Sequence, residues 1–274
     1  MTGPPMARGE PLGGGMANAG SVLRRGDVVV RPAPAHAAAI HAFLRRLRRQ
    51  GFDGAPLPRR LRGGSEQLEF IAGEVAVAPY PPWSLTDDAL ASVGALLRRF
   101  HDAAGQVPVD AAVRWPRDLA DPQGGELLCH NDVCIENVVF AGGRATAVLD
   151  FDFAAPGRPA WDLAMTARYW VPMLDPRSAE VSGRAHLDPV RRLRLLVDAY
   201  GLPAEDRPEL MAMVELAVEV ARGFVAARVA AGERAFVRAH HEHGGWERWD
   251  RLQAWLAASR DRFTDGLREG PATA

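Results

Sequence analysis

The chain has 274 residues, 47% hydrophobic and 24% charged, with 33 basic against 34 acidic residues. That is enough for one large domain or two lobes around a core without metal or disulfide support, and it excludes wholesale disorder. All 33 basic residues are arginine, which excludes a P-loop lysine and any Schiff-base or pyridoxal lysine, and the net charge of −1 advertises neither a nucleic acid nor an anionic membrane.

Residues 1–19, rich in Gly, Pro, Ala and Met, lack the apolar mass of a signal sequence and are expected to form a disordered head, with Met6 or Met16 as alternative starts. From Ser21 to Val30 two short strands are expected around the Gly26-Asp27 turn. Ile40, Phe43, Leu44 and Leu47 form one helical stripe that Gly51 ends. Residues 52–64 read as a Pro/Gly/Arg loop, and Gln67–Ile71 as another strand. A linker near 72–84 leads to a helix opened by Ser84–Asp88, with Leu90, Val93, Leu97 and Phe100 on one face. Leu127–His130, Val138–Phe140 and Ala145–Leu149 form a β-rich patch with a Gly142-Gly143 turn. Beyond Trp161 the pattern is helical, apart from a Pro/Gly stretch near 172–189. Leu210 to Val229 is a core helix, since Glu215, Glu219 and Arg222 interrupt it, and no membrane span is expected. Cys129 and Cys134 read as reduced thiols of a cytoplasmic protein.

The chemistry concentrates in residues 127–154, LLCHNDVCIENVVFAGGRATAVLDFDFA. A polar loop from His130 to Asn137 interrupts apolar runs, and a hairpin returns Asp150 to its side. Strand-ending loops can aim several side chains at one point, whereas carboxylates inside strands would be costly to bury. Asp132, Asn137 and Asp150 make an all-oxygen set suited to Mg²⁺.

This segment resembles the catalytic loop and metal-binding aspartate of the aminoglycoside phosphotransferase family, which includes choline kinases and shares the protein-kinase fold. His130-Asn131-Asp132 through Asn137 matches its His-x-Asp-x-x-x-x-Asn, Leu149-Asp150-Phe151-Asp152 its Ile-Asp-Phe/Trp-Asp/Glu, and Gly157 to Asp162-Leu163-Ala164 its Gly-x-x-x-x-Asp-Leu-Ala. The match covers 21–175 well and includes a weaker likeness at LLRRFHDAA, 96–104. It implies an α+β, two-lobed, protein-kinase-like fold, with a β-rich lobe over 20–78 and a mainly helical lobe over 79–274. It also implies ATP or GTP as phosphoryl donor with Mg²⁺, and a small-molecule hydroxyl acceptor. Asp132 would be the base, with His130 bracing the loop more than moving a proton. Asn137 and Asp150 would hold the metal, with Asp152 placed second, and Asp162 would cap the following helix and anchor the loop.

The small lobe departs from the family. Val28-Val29-Val30-Arg31 stands where the nucleotide-binding lysine is usual, so Arg31 is the candidate phosphate cation. No acid lies between Asp27 and Asp53, so the usual ion pair with a helix glutamate is expected to be missing, and no Gly-rich loop is recognisable. Gln67–Gly73 resembles the family hinge, where adenine would meet the Glu69 carbonyl and the Ile71 N–H. Arg45, Arg46, Arg48, Arg49, Arg59, Arg60 and Arg62 read as a solvated face, with no interleaved aromatics for bases. His240, His241 and His243 lack metal-ligand spacing, and the Trp and Tyr residues near 161–170 default to core packing, with Trp170 a possible wall of the acceptor pocket. From residue 183 onward fourteen acids balance fourteen arginines, so no bias toward a polycationic acceptor is visible. The competing class is a kinase-like binding or immunity protein that holds a nucleotide or peptide without phosphoryl transfer. The oligomeric state is open.

Overall fold

The computed structural model describes residues 9–13 and 21–268, so the expected head lies outside the described residues except for 9–13. That short piece is not loose. It supplies β1 (Glu10–Pro11), paired antiparallel to β2 (Leu23–Arg25), and Leu12 N–H donates to the Val22 carbonyl at 3.0 Å.

The Gly26-Asp27 turn joins β2 to β3 (Val28–Pro32), and α1 (Ala37–Arg49) buries Ile40, Phe43, Leu44 and Leu47 along the expected stripe. Residues 58–62, expected as loop, form β4 (Pro58–Arg62), hairpinned to β5 (Ser65–Glu69). Gly63 and Gly64 take φ of +58° and +73°, the paired left-handed conformation of a tight hairpin turn. The exposed arginines conceal the strand because β4 is the sheet edge, where charge and proline discourage further pairing. The sheet order is β1-β2-β3-β5-β4, antiparallel throughout.

The chain then leaves this sheet. β6 (Glu74–Val75) pairs with β8 (Val138–Ala141), which forms a hairpin with β9 (Arg144–Val148). Between them runs α2 (Asp87–Ala104), whose N-cap Thr86 hydroxyl accepts from Ala89 N–H at 3.2 Å. β7 (Leu127–Cys129) pairs with β10 (Ala155–Gly157), so the loop after β7 and the turn before β10 face one another.

The rest is helical: α3 (Pro159–Trp170), α4 (Pro176–Val181), α5 (Pro189–Tyr200), α6 (Arg207–Ala230), α7 (Arg234–Glu242) and α8 (Gly245–Arg268). α4 falls within the expected irregular stretch, started by Pro176 and the Asp175 cap. In α6 the charges leave the core side, where Leu210, Val214, Ala217 and Val218 are buried, and Glu215 and Arg222 pair with Arg260 and Asp250 of α8. No helix among the described residues is long and apolar enough to cross a membrane. One apolar cluster runs from α1 through α2 and α3 to α8. Phe100 is its centre, with ring centroids 6.4, 5.7 and 5.9 Å from Phe43, Phe52 and Phe151.

Candidate active site

The loop from His130 to Asn137 is held by a buried carboxylate. Asp162, in the first turn of α3 and fully buried, accepts from the N–H groups of His130 at 2.7 Å and Asn131 at 2.8 Å. Its third partner is His101 Nε2 at 3.1 Å, and His101 Nδ1 meets the Tyr200 hydroxyl at 2.8 Å. Burial alone would raise the Asp162 carboxyl, but these hydrogen bonds and the imidazoles hold it below the usual carboxylate range. Asp162 therefore anchors the loop, while the α3 N-cap is Arg158, with no side-chain cap.

Among the described residues only Asn131 and Asp150 combine a side chain with positive φ, +65° and +62°. Asn and Asp tolerate that region best, and such strain persists where the surroundings over-determine it. Asn131 Nδ2 donates to the Phe153 carbonyl at 2.9 Å, tying the loop to the turn after Asp150. The Leu149 N–H donates to the Asn137 carbonyl at 2.8 Å, and the Leu149 carbonyl accepts from His130 Nε2 at 2.8 Å. His130 Nδ1 accepts from the Asp132 N–H at 3.2 Å. Both ring nitrogens thus serve the backbone, which leaves no free nitrogen for proton transfer.

Asp132 lies at the centre of the loop. Oδ1 accepts from the Tyr169 hydroxyl at 2.8 Å and Oδ2 from Asn137 Nδ2 at 3.1 Å. Burial, reinforced by Asp150, raises its carboxyl above the ordinary range, against the pull of the Tyr169 hydrogen bond and His130. Asn137 also gives Nδ2 to the Asp132 carbonyl at 2.9 Å, so its own side-chain carbonyl oxygen is left as an acceptor.

Arg31 joins the two halves of the site. Its Nε donates to Glu66 at 2.7 Å, Nη1 to Asp150 at 2.7 Å and Nη2 to Asp152 at 2.5 Å. The expectation that Arg31 lacks an acidic partner is overturned. The acid comes from the neighbouring strand, with Arg31 and Glu66 directly opposite in the β3–β5 ladder. The helix contributes His41 instead, whose Nε2 lies 2.6 Å from Glu66 Oε2. Burial opposes the charge on Arg31, but Asp150, Asp152 and Glu66 together raise its affinity for the proton. Three carboxylates share one guanidinium, leaving negative charge in excess. Burial and the Asp150 charge push the Asp152 carboxyl up to about 7 despite its contact with Arg31. That excess, beside the oxygen of Asn137, fits a hard divalent cation.

On the hinge side, the Glu69 carboxylate is taken by Arg48 at 2.9 Å and Arg59 at 3.7 Å and its N–H by the Leu57 carbonyl at 2.9 Å, so of Glu69 only the backbone carbonyl is left to offer a ligand. Ile71, just beyond β5, makes no hydrogen bond through N–H with the described residues. Three participants escape the sequence reading. Tyr169, read as packing, bonds Asp132 through its hydroxyl, and Trp170 is buried with its indole N–H on the Val133 carbonyl at 2.9 Å, so it braces the loop and does not wall a pocket. Glu66 is the third, and its signal was an acid on the inward face of an alternating strand, beside buried Leu68.

A sequence model of the phosphotransferase enzyme family matches residues 106–196, which include this loop, Asp150 and Asp162. The chain is 32% identical over 201 residues to the trifolitoxin immunity protein of Rhizobium leguminosarum bv. trifolii, covering 68% of this chain and 72% of that one. In solved structures it is similar to a choline/ethanolamine kinase family protein from Mesorhizobium loti, with TM-score 0.64, 19% identity, and coverage of 96% and 93%. An ethanolamine kinase from Plasmodium vivax superposes with TM-score 0.56 at 11% identity, covering 86% and 77%. Loop, hairpin aspartate, anchoring Asp162 and two-lobed architecture agree with these matches: the chain belongs to the phosphotransferase enzyme family and carries its protein-kinase-like fold.

Proposed function

We propose that the protein moves the γ-phosphoryl group of ATP, or of GTP, to a hydroxyl of a small molecule, with Asp132 orienting that hydroxyl and accepting its proton. The observation that carries this reading is the state of Asp132. Its two oxygens are held by Tyr169 and Asn137, and burial makes it a stronger base than an ordinary carboxylate. Such transfer is mainly positioning plus charge neutralisation, and the surrounding residues suit both tasks.

Asn137 and Asp150 would hold Mg²⁺, with Asp152 second, and the ion would neutralise phosphate charge when bound. Arg31 would turn its Nη atoms from the two aspartates to phosphate oxygens while Glu66, 2.7 Å from Nε in this structure, keeps hold of the guanidinium. The Glu69 carbonyl and Ile71 N–H would take the base through the backbone, which tolerates any side chain there. His130 and Asp162 would keep Asp132 in place without touching substrate.

The immunity relative and the Arg31 clamp on Asp150 and Asp152 favour a second reading, a protein that holds a nucleotide or peptide without transfer. Thermal shift with ATP and GTP, with and without Mg²⁺, followed by ATP turnover against a panel of hydroxyl compounds, separates the two. Hydroxyl-dependent turnover that Asp132→Asn abolishes supports the phosphotransferase. Nucleotide stabilisation without turnover of any compound supports the second reading.

A further inference from the structure

Asp150 and Asp152, the carboxylates read as metal ligands, are paired with a cation of the chain itself. Arg31 donates Nη1 to Asp150 Oδ1 at 2.7 Å, Nη2 to Asp152 Oδ1 at 2.5 Å and Nη1 to Asp152 Oδ2 at 3.4 Å. The grip on Asp152 is two-pronged, the strongest form of arginine–carboxylate contact. The two carboxylates reach solvent, with side chains 32% and 22% exposed, whereas the Arg31 side chain is 9% exposed and comes from the buried side.

Both ends of this contact are fixed. Behind the guanidinium, Glu66 takes Nε at 2.7 Å and is held through its other oxygen by His41 at 2.6 Å, both residues buried. In front, Asp150 sits at φ +62°, and buried Phe151 follows it with its ring 4.5 Å from His130 and 5.9 Å from Phe100. A divalent cation on these aspartates needs the oxygens that Arg31 takes, and two cations placed there repel each other. For a metal ion alone, displacing Arg31 breaks charged hydrogen bonds and strands a buried guanidinium. Phosphate oxygens change the balance, because they offer the same fork new acceptors. We propose that Arg31 is a tethered competitor of the metal, so that the protein takes a divalent cation at Asp150 and Asp152 only together with a phosphate-bearing ligand that draws the guanidinium away. This rests on the reading of the two aspartates as metal ligands. It makes metal and nucleotide binding reinforce each other, by the same factor in both directions.

The test is Mn²⁺ binding without nucleotide, read by electron paramagnetic resonance. Arg31→Gln should bind Mn²⁺ roughly ten- to hundred-fold more tightly than wild type. Arg31→Lys, which keeps the charge and loses the fork, should lie between them. Adding Asp150→Asn to Arg31→Gln should abolish the gain, which assigns the ion to this site. Arg60→Gln, which removes the same charge from exposed β4, should match wild type. If Arg31→Gln does not fold, Arg31→Gln with Glu66→Gln, which also removes the stranded buried carboxylate, takes its place. Equal Mn²⁺ affinity in wild type and Arg31→Gln overturns the proposal. So does a gain that survives Asp150→Asn, an equal gain in Arg60→Gln, or Arg31→Lys binding as tightly as Arg31→Gln. ATP turnover against hydroxyl compounds is read separately. A Mn²⁺ gain with no turnover in wild type keeps the competitor and removes the phosphotransfer reading, and turnover with no Mn²⁺ gain does the reverse.

Discussion

In the proposed function, Asp132 prepares the hydroxyl and Arg31 manages phosphate charge. Asp132→Asn keeps the size and the Tyr169 and Asn137 neighbours but removes the carboxylate proposed as the base. Turnover should fall about 10²- to 10⁴-fold while calorimetric ATP affinity stays within a few-fold. Turnover near wild type would remove Asp132 from the proton's path. Arg31→Ala should lower ATP affinity and kcat/KM together, by roughly ten- to hundred-fold for a lost charged hydrogen bond, and Arg31→Lys should restore part. Unchanged ATP binding in Arg31→Ala would mean that Arg31 serves only to clamp Asp150 and Asp152. At this scale the sequence exposes what is local. Asp132, Asn137 and Asp150 lie within a loop and a hairpin, so their spacing carries their proximity. Arg31 and Glu66 are 35 residues apart and meet only through strand register, and Tyr169 reaches Asp132 from 37 residues away along a helix. Neither distance is legible without the third dimension.

At the scale of elements, the loop owes its shape to α3 more than to itself. Asp162→Asn would leave the N–H of His130 or Asn131 without its charged acceptor and His101 Nε2 without its carboxylate partner. Removing one member of such a buried set costs about 3–5 kcal/mol, readable as a lower denaturant midpoint. The pH dependence follows from the sign of the shift. The folded carboxyl is held below its unfolded value, so its stabilisation is complete above the ordinary carboxylate range and is lost as the pH falls through it, below about pH 4. Wild type should therefore lose stability steeply on acidification there, and Asp162→Asn should lose less; parallel acid profiles would contradict this. Helices α1 and α2 were readable because their apolar stripes are long. β4 was not, because an edge strand of Pro and Arg carries no alternation to read, and its Gly63-Gly64 turn looks like any loop. Asp162 could be matched by motif and its anchoring of the loop read with it, but the expected cap fails, because Arg158 takes the cap position.

For the whole molecule, the small sheet and the helical body share a core. Phe43 of α1 packs against Phe100 of α2 and Phe151 with centroids 6.4 Å from each, and the Val148 N–H of β9 donates to the Gly54 carbonyl at 2.9 Å. Gly54 also sits so close to β9 that a Cβ there would lie 2.7 Å from the Thr146 carbonyl oxygen. Phe151 stands between Asp150 and Asp152, so the packing that joins the two halves also supports the carboxylates. Phe100, fully buried, is the ring that Phe43, Phe52 and Phe151 all touch. Phe100→Ala should cost about 3–5 kcal/mol by lost transfer energy and cavity formation. For a chain of this size that lowers Tm on the order of ten degrees. Because the cavity opens where the two halves meet, calorimetry should show one transition in wild type and one, moved down as a whole, in the variant. Two transitions, with only one displaced by Phe100→Ala, would show that the sheet and the helical body unfold separately and that the aromatic contact does not couple them.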